Sequence, residues 1–215
     1  MALTRKAINA LREAGWQASS RAELDEAAAR TRVVVVGELH MPDGWTHLRT
    51  FQRSLVDAVL AGGGELALGF EPSVKAQQQG VITYAKDKGF TPIPMEVGWK
   101  EHLELGLVQV RDDECAAAVQ DWLGGGDEHR LVLIRGQAHV LPGGPLLKRL
   151  PADAVVVLTI PNGLGVPLAL LADSLATPGT VLRSKTLKRV FYVHCDSVGG
   201  DHDKWGTELL KLLAK

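Results

Sequence analysis

Short apolar runs recur along the chain, spaced so that most pairs leave room for one helix between them. They are VVVVG (33–37), LALGFE (66–71), PIPMEV (92–97), LVLIRG (131–136), AVVVLTI (154–160) and VFYVHC (190–195). Most of their residues are apolar on both faces of an extended chain, as in strands of a parallel sheet covered on both sides. Helical spacing fills the intervals. Leu48, Phe51, Leu55 and Val59 line one face of 47–62, and 73–89, 112–126 and the closing 203–215 follow the same plan. Residues 2–30 read as helical throughout, broken at Gly15, with Ser20 and Glu23 at capping-box spacing for a second helix. This alternation predicts a three-layer α/β fold, a mainly parallel central sheet flanked by helices. Residues 1–31 are expected to be a helical segment packed on the core, and 32–215 one domain. No repeat at solenoid periods is present.

Composition narrows the function classes. The chain has 215 residues, 46% hydrophobic and 23% charged, enough for a sizeable core in a globular protein. A formal net charge of −1 gives no global field to recruit nucleic acid. The most basic stretch, RSKTLKR (183–189), reads as a solvated loop or helix face. Apolar runs such as VPLALLA (166–172) are too short to span a bilayer, so no membrane insertion is expected. Two distant cysteines, Cys115 and Cys195, suit a reducing compartment, and the first sixteen residues lack the apolar core of an export signal. A cytoplasmic location is the expectation.

The strand ends carry the candidate chemistry. In an open parallel sheet, ligands bind beyond the carboxyl ends of the strands. The first run is followed by Glu38 and His40, with His47 a little further on. The second ends in Glu71 and the third in Glu96, with Trp99 close behind. The fourth brings Arg135, Gln137 and His139, the fifth Thr159 and Asn162, and the sixth His194 and Asp196. Burying such groups unpaired would cost several kcal/mol each, by roughly the usual desolvation estimates, so a cleft that uses them is the simplest account. GELH (37–40) and GQAH (136–139) share the form G-x-x-H after an apolar strand. Glycine there permits a tight exit and a close backbone approach to a ligand. Because these groups are gathered for use, Glu71→Gln is expected to leave the protein at least as stable.

At VVVVGELHMPDGWTH, LALGFEPS and LVLIRGQAHV the chain resembles the erythromycin esterase/ChaN-like superfamily, which includes TraB and TIKI-type proteins, and it lies nearest the ChaN-like branch. The resemblance covers about residues 32–160. It implies a three-layer α/β fold with its site at the carboxyl edge of the sheet. It carries over Glu38, His40, Glu71 and His139 as site residues, and less directly His47. It leaves several chemistries open, since the superfamily spans metal-free esterases, metal-dependent peptidases and haem-binding lipoproteins.

The expectation is therefore a small enzyme doing hydrolase-type chemistry on an ester or peptide-like substrate, a pathway intermediate included. Glu38, His40, Glu71, His139 and Arg135 would be catalytic. His40 or His139 would act as general base, oriented by Glu38 or Glu71, with Arg135 stabilising charge on the substrate. His47, Glu96, Trp99, Gln137, Asn162 and His194 would line the substrate site. A divalent metal such as Zn or Mn could sit on His40, Glu71 and His139, or no cofactor is needed. The alternative is a carrier that binds haem, with histidines and Tyr84 or Tyr192 as axial ligands, or binds a metal, without catalysis.

Overall fold

A computed structural model of the chain describes residues 2–38, 46–96, 108–141, 144, 146–159, 164–166, 179–187 and 189–195. Among the described residues, eight strands form one sheet: β1 (Trp16–Ser19), β2 (Val33–Glu38), β3 (Glu65–Phe70), β4 (Thr91–Pro94), β5 (His129–Gly136), β6 (Val155–Leu158), β7 (Val181–Ser184) and β8 (Val190–Val193). Their spatial order is β1-β7-β8-β6-β2-β5-β3-β4. The pairs from β8 through β4 are all parallel. β7 runs antiparallel to both of its neighbours.

Five helices are described: α1 (Ala2–Glu13), α2 (Arg21–Arg30), α3 (Thr46–Ala61), α4 (Lys75–Asp87) and α5 (Val108–Gly124). They pack on the two faces of the sheet, because alternate strand residues point to opposite sides. Val33, Val35, Leu131 and Leu133 join Ile8 and Leu11 of α1 and Cys115 and Val119 of α5 in one core. Val34, Val36, Val132 and Ile134 join Leu24 of α2, Leu55 of α3 and Ile82 of α4 in the other.

The amino edge of the sheet is closed by two arginines that end helices. Arg130 donates to the carbonyls of Ala28, Ala29 and Thr31 at the end of α2 and to Val59 of α3. Arg32 donates to Leu123 and Gly126, at the end of α5. The last carbonyls of a helix have no partner within it, and a guanidinium fork suits them in number and charge.

Two expectations change. Residues 1–31 are not wholly helical, because Trp16–Ser19 forms β1 and extends the sheet beside β7. The capping box is present as expected: the Ser20 hydroxyl accepts from the Glu23 N–H, and the Glu23 carboxylate accepts from the Ser20 N–H. The basic stretch 183–189 is not all loop, since Arg183 and Ser184 finish β7, with Arg183 over the Phe191 ring. The expected closing helix at 203–215 lies outside the described residues.

Candidate active site

The strand order arranges the carboxyl edge as a row. Crossing from β4 toward β8, it carries Glu96, Glu71, Arg135, Glu38, Thr159 and His194. The chain runs from β2 out to β3 and β4, returns to insert β5 between β2 and β3, then places β6 on the other side of β2. The reversal in strand direction of travel lies at β2, where a crevice is expected.

Period two then divides the row between the two faces. Glu38 follows Val34 and Val36, so its side chain lies on the α3 and α4 side. There it accepts from Arg49 Nη1 at 2.5 Å, Gln52 Nε2 at 2.5 Å and Gln78 Nε2 at 2.9 Å. Arg135 follows Leu131 and Leu133, and Glu71 follows Ala67 in the same alternation, so both lie on the α5 side. Gln78 spans the division, since its Oε1 accepts the Glu71 N–H at 3.2 Å.

On the α5 side the groups form a lattice. Arg111 donates to Glu71 at 2.8 Å and to Glu96 at 2.6 and 3.0 Å. Arg135 is hydrogen-bonded to Glu96 and lies 3.4 Å from Glu71 Oε1. The other Glu71 oxygen accepts the Gly136 N–H at 2.6 Å. His139 sits on a 3-10 turn after β5, with Nδ1 2.7 Å from Asp112 Oδ1. The carboxylates are withdrawn: Glu38, Glu71 and Glu96 have no side-chain exposure and Asp112 has 1%, against 10% for His139 and 13% for Arg111.

These contacts differ from several of those expected. His139 Nδ1 is in contact with Asp112, and not with Glu38 or Glu71. Arg135 is fully buried and faced by carboxylates, so it is not placed to stabilise charge on a substrate. Gln137 is 2% exposed and accepts the Thr159 N–H at 2.8 Å, latching β5 to β6 instead of lining an opening. His194 is buried, two strands from Glu38, with Nδ1 2.8 Å from the Tyr192 hydroxyl. Strand spacing alone puts it about 10 Å from Glu38. Glu96 belongs to the arginine lattice, and Glu71 is held as an ion-pair partner. His40, Trp99, Asn162 and Asp196 lie outside the described residues, as does the side chain of His47.

Residues that sequence reading missed are Arg49, Gln52, Gln78, Arg111 and Asp112. Three carry a common signal. Gln52, Gln78 and Asp112 are each buried on an apolar helical stripe: Leu48–Gln52–Leu55–Val59, Gln78–Val81–Ile82–Ala85 and Asp112–Cys115–Ala116–Val119. A polar residue on such a stripe must find a buried partner.

Gly37 needs its missing side chain for packing. A Cβ there would lie 2.7 Å from Val140 Cγ2 and 3.1 Å from Gln137 Cγ. What approaches this backbone on the side a Cβ would take is the chain's own turn.

The residues described at the edge do not favour a cation at Glu71. One of its oxygens faces two guanidiniums and the other a backbone N–H, so a metal would have to displace donors beside two positive charges. Among the described residues no group of three or more His, Cys, Asp and Glu is disposed to hold a metal ion. The tyrosines considered as haem ligands are also engaged. Tyr84 donates to Asp57, and buried Tyr192 has its phenol pushed well above its ordinary pKa by burial. An open hollow of about 410 Å³ lies away from this edge, between α2 and strands β7 and β8, where Glu23, Glu26, Arg30, Arg183 and Arg189 line it.

Fold and site define an α/β protein with a mainly parallel sheet that gathers an ion-pair lattice and a carboxylate-held histidine at its carboxyl edge. No protein family, no curated protein and no solved structure matches the chain. No helix among the described residues is long and apolar enough to cross a membrane.

Proposed function

We propose that this protein is a hydrolase-type enzyme acting on an ester or peptide-like substrate, with His139 as general base and Asp112 as its orienting carboxylate. The observation that carries this reading is the 2.7 Å contact between His139 Nδ1 and Asp112 Oδ1 at the carboxyl edge of the sheet. An ionised carboxylate can only accept, so Nδ1 carries the proton and neutral His139 presents Nε2 as the acceptor. Nε2 takes a proton from water as the oxygen attacks the substrate carbonyl. Asp112 stabilises the imidazolium that results, which then returns the proton to the leaving group. Arg111 keeps some exposure and is the guanidinium of the lattice able to face charge developing on the substrate.

The test is turnover of a panel of small esters and peptides by wild type, His139→Gln and Asp112→Asn, with metal content and the visible spectrum recorded for each. Asp112→Asn keeps the shape but accepts less well and allows the wrong tautomer. Its rate should fall by about 10²–10⁴-fold, the range general acid–base catalysis supplies. A wild type active on the panel with Asp112→Asn equally active would remove the dyad from the mechanism. A stoichiometric Soret-absorbing cofactor without turnover would favour the haem carrier.

A further inference from the structure

We infer that Arg135, anchored by Glu96, is a positioning residue that holds Asp112 in place and through it fixes which nitrogen of His139 carries the proton. The inference rests on the His139–Asp112 reading above and adds to it the element that keeps the dyad in register.

The burial of Arg135 calls for a reason. Its side chain has no exposure and stands in strand positions that Leu131 and Leu133 fill on the same face. Replacing buried ion pairs with apolar side chains of similar volume is often neutral or stabilising, so stability alone gives weak grounds for a guanidinium here. Its contacts give better grounds. Nη1 is held by Glu96, with Glu71 at 3.4 Å. Nη2 donates to the Arg111 carbonyl at 3.3 Å and lies 3.7 Å from Asp112 Oδ1. One planar group therefore touches the main chain of α5 immediately before Asp112 and faces the same carboxylate oxygen that His139 uses.

Asp112 has little else to hold it. Among the described residues the one hydrogen bond of its carboxylate is to His139, and its buried Oδ2 has no partner. Arg135 Nε is likewise buried without a partner. A carboxylate held by a single bond can turn about its last torsion, which is broad. The guanidinium, itself fixed by Glu96 and 3.7 Å from Oδ1, restrains that turn. Around the dyad stand Arg111 and Cys115 on α5, Arg135 on β5, Glu71 after β3 and Glu96 after β4. Of the two cations among these, Arg135 alone contacts Asp112 in the ion-pair geometry described.

The experiment reads the tautomer directly. Protein labelled with ¹⁵N-histidine is examined by long-range ¹H–¹⁵N correlation at about pH 8.5, where imidazoles of ordinary pKa are neutral. His139→Gln identifies the resonances. Wild type should show His139 as a single Nδ1–H tautomer. Arg135→Met should show a mixture or the reversed tautomer, Glu96→Gln a smaller change in the same direction, and Arg135→Lys partial recovery. Should Arg135→Met not fold, Glu96→Gln decides the matter. Folded variants that keep the single Nδ1–H tautomer would overturn the positioning role. This readout needs no turnover. A wild type with the expected tautomer but no activity would count against the hydrolase reading while leaving the positioning role standing.

Discussion

Replacing Glu71 by glutamine separates a carboxylate kept for chemistry from one that holds the fold. Glu71 has no exposure, accepts from Arg111 Nη2 at 2.8 Å and from the Gly136 N–H at 2.6 Å, and lies 3.4 Å from Arg135 Nη1. Glutamine keeps one acceptor oxygen and turns the other into an NH₂. Whichever way the amide is flipped, that NH₂ faces either a guanidinium or the Gly136 N–H, a donor against a donor. The charge count moderates the cost. Glu96 and Asp112 still stand against Arg111 and Arg135, so no guanidinium is left without a carboxylate. The loss should thus fall below the 3–5 kcal/mol typical of breaking a buried pair, at about 2–3 kcal/mol.

Urea unfolding checks this. With a slope of about 2 kcal/mol per molar, the midpoint should drop by about 1–1.5 M. Glu65→Gln, at the exposed start of the same strand, should stay within about 0.5 kcal/mol of wild type. A Glu71→Gln protein as stable as wild type would refute the reasoning, and would restore the view from sequence that this carboxylate is gathered for use alone.

The remaining predictions concern parts of the fold outside the lattice. Ser20→Ala should cost about 1 kcal/mol by removing the cap on α2, read from thermal or urea unfolding. Glu23 has its pKa lowered, first by the Ser19 hydroxyl and then by the Ser20 N–H. Its contribution should therefore be present above its ordinary value of 4.5 and lost as pH falls through the lowered one, so wild type should be more stable than Glu23→Gln at neutral pH and lose that margin as the pH is taken below that value. The Cys115 thiol is pushed up to about 12, chiefly by burial, so a disulfide reagent at about pH 8 should leave it unlabelled in native protein and label it in urea. Arg130→Met should cost about 2–4 kcal/mol, because it strips donors from the buried ends of α2 and α3.

The central strands were legible because both of their faces are apolar. VVVV and LVLI cannot alternate with solvent, and they stand in the middle of the sheet. β1 and β7 were not, for the same reason in reverse. WQAS and VLRS lie toward one margin of the sheet and include half-buried positions, so their sequences carry turn-like polarity. The acidic strand-end residues were legible by position, since each directly follows an apolar run. Their partners were not: Arg111 is 40 residues from Glu71, and Asp112 is 27 from His139. Local sequence showed Arg111 and Asp112 only as the charged beginning of an ordinary helix. The available sign was narrower, a charge at the spacing of Cys115, Ala116 and Val119, where solvent cannot reach it.

The two G-x-x-H segments are also linked in a way their likeness did not suggest. Read separately, each glycine opens space for a ligand. In the fold, Gly37 of the first makes room for the turn of the second, where Gln137 and Val140 pack over it. Gln137 then takes the Thr159 N–H, and the Thr159 hydroxyl donates back to the Gly37 carbonyl at 2.5 Å. The ends of β2, β5 and β6 are thus tied in a closed circuit beneath His139. A histidine on a short 3-10 turn would otherwise move with its loop. Here the turn is fixed by the packing and hydrogen bonding of Gln137 and Val140 and the ring by Asp112, so the imidazole is restrained through its turn and its ring at once. That double restraint would serve the general base proposed for His139, since such a base acts best with Nε2 kept aimed at one proton. It also explains why a glycine without positive φ is required at position 37: what it supplies is room for a neighbouring turn, and the conformational freedom of glycine is not used.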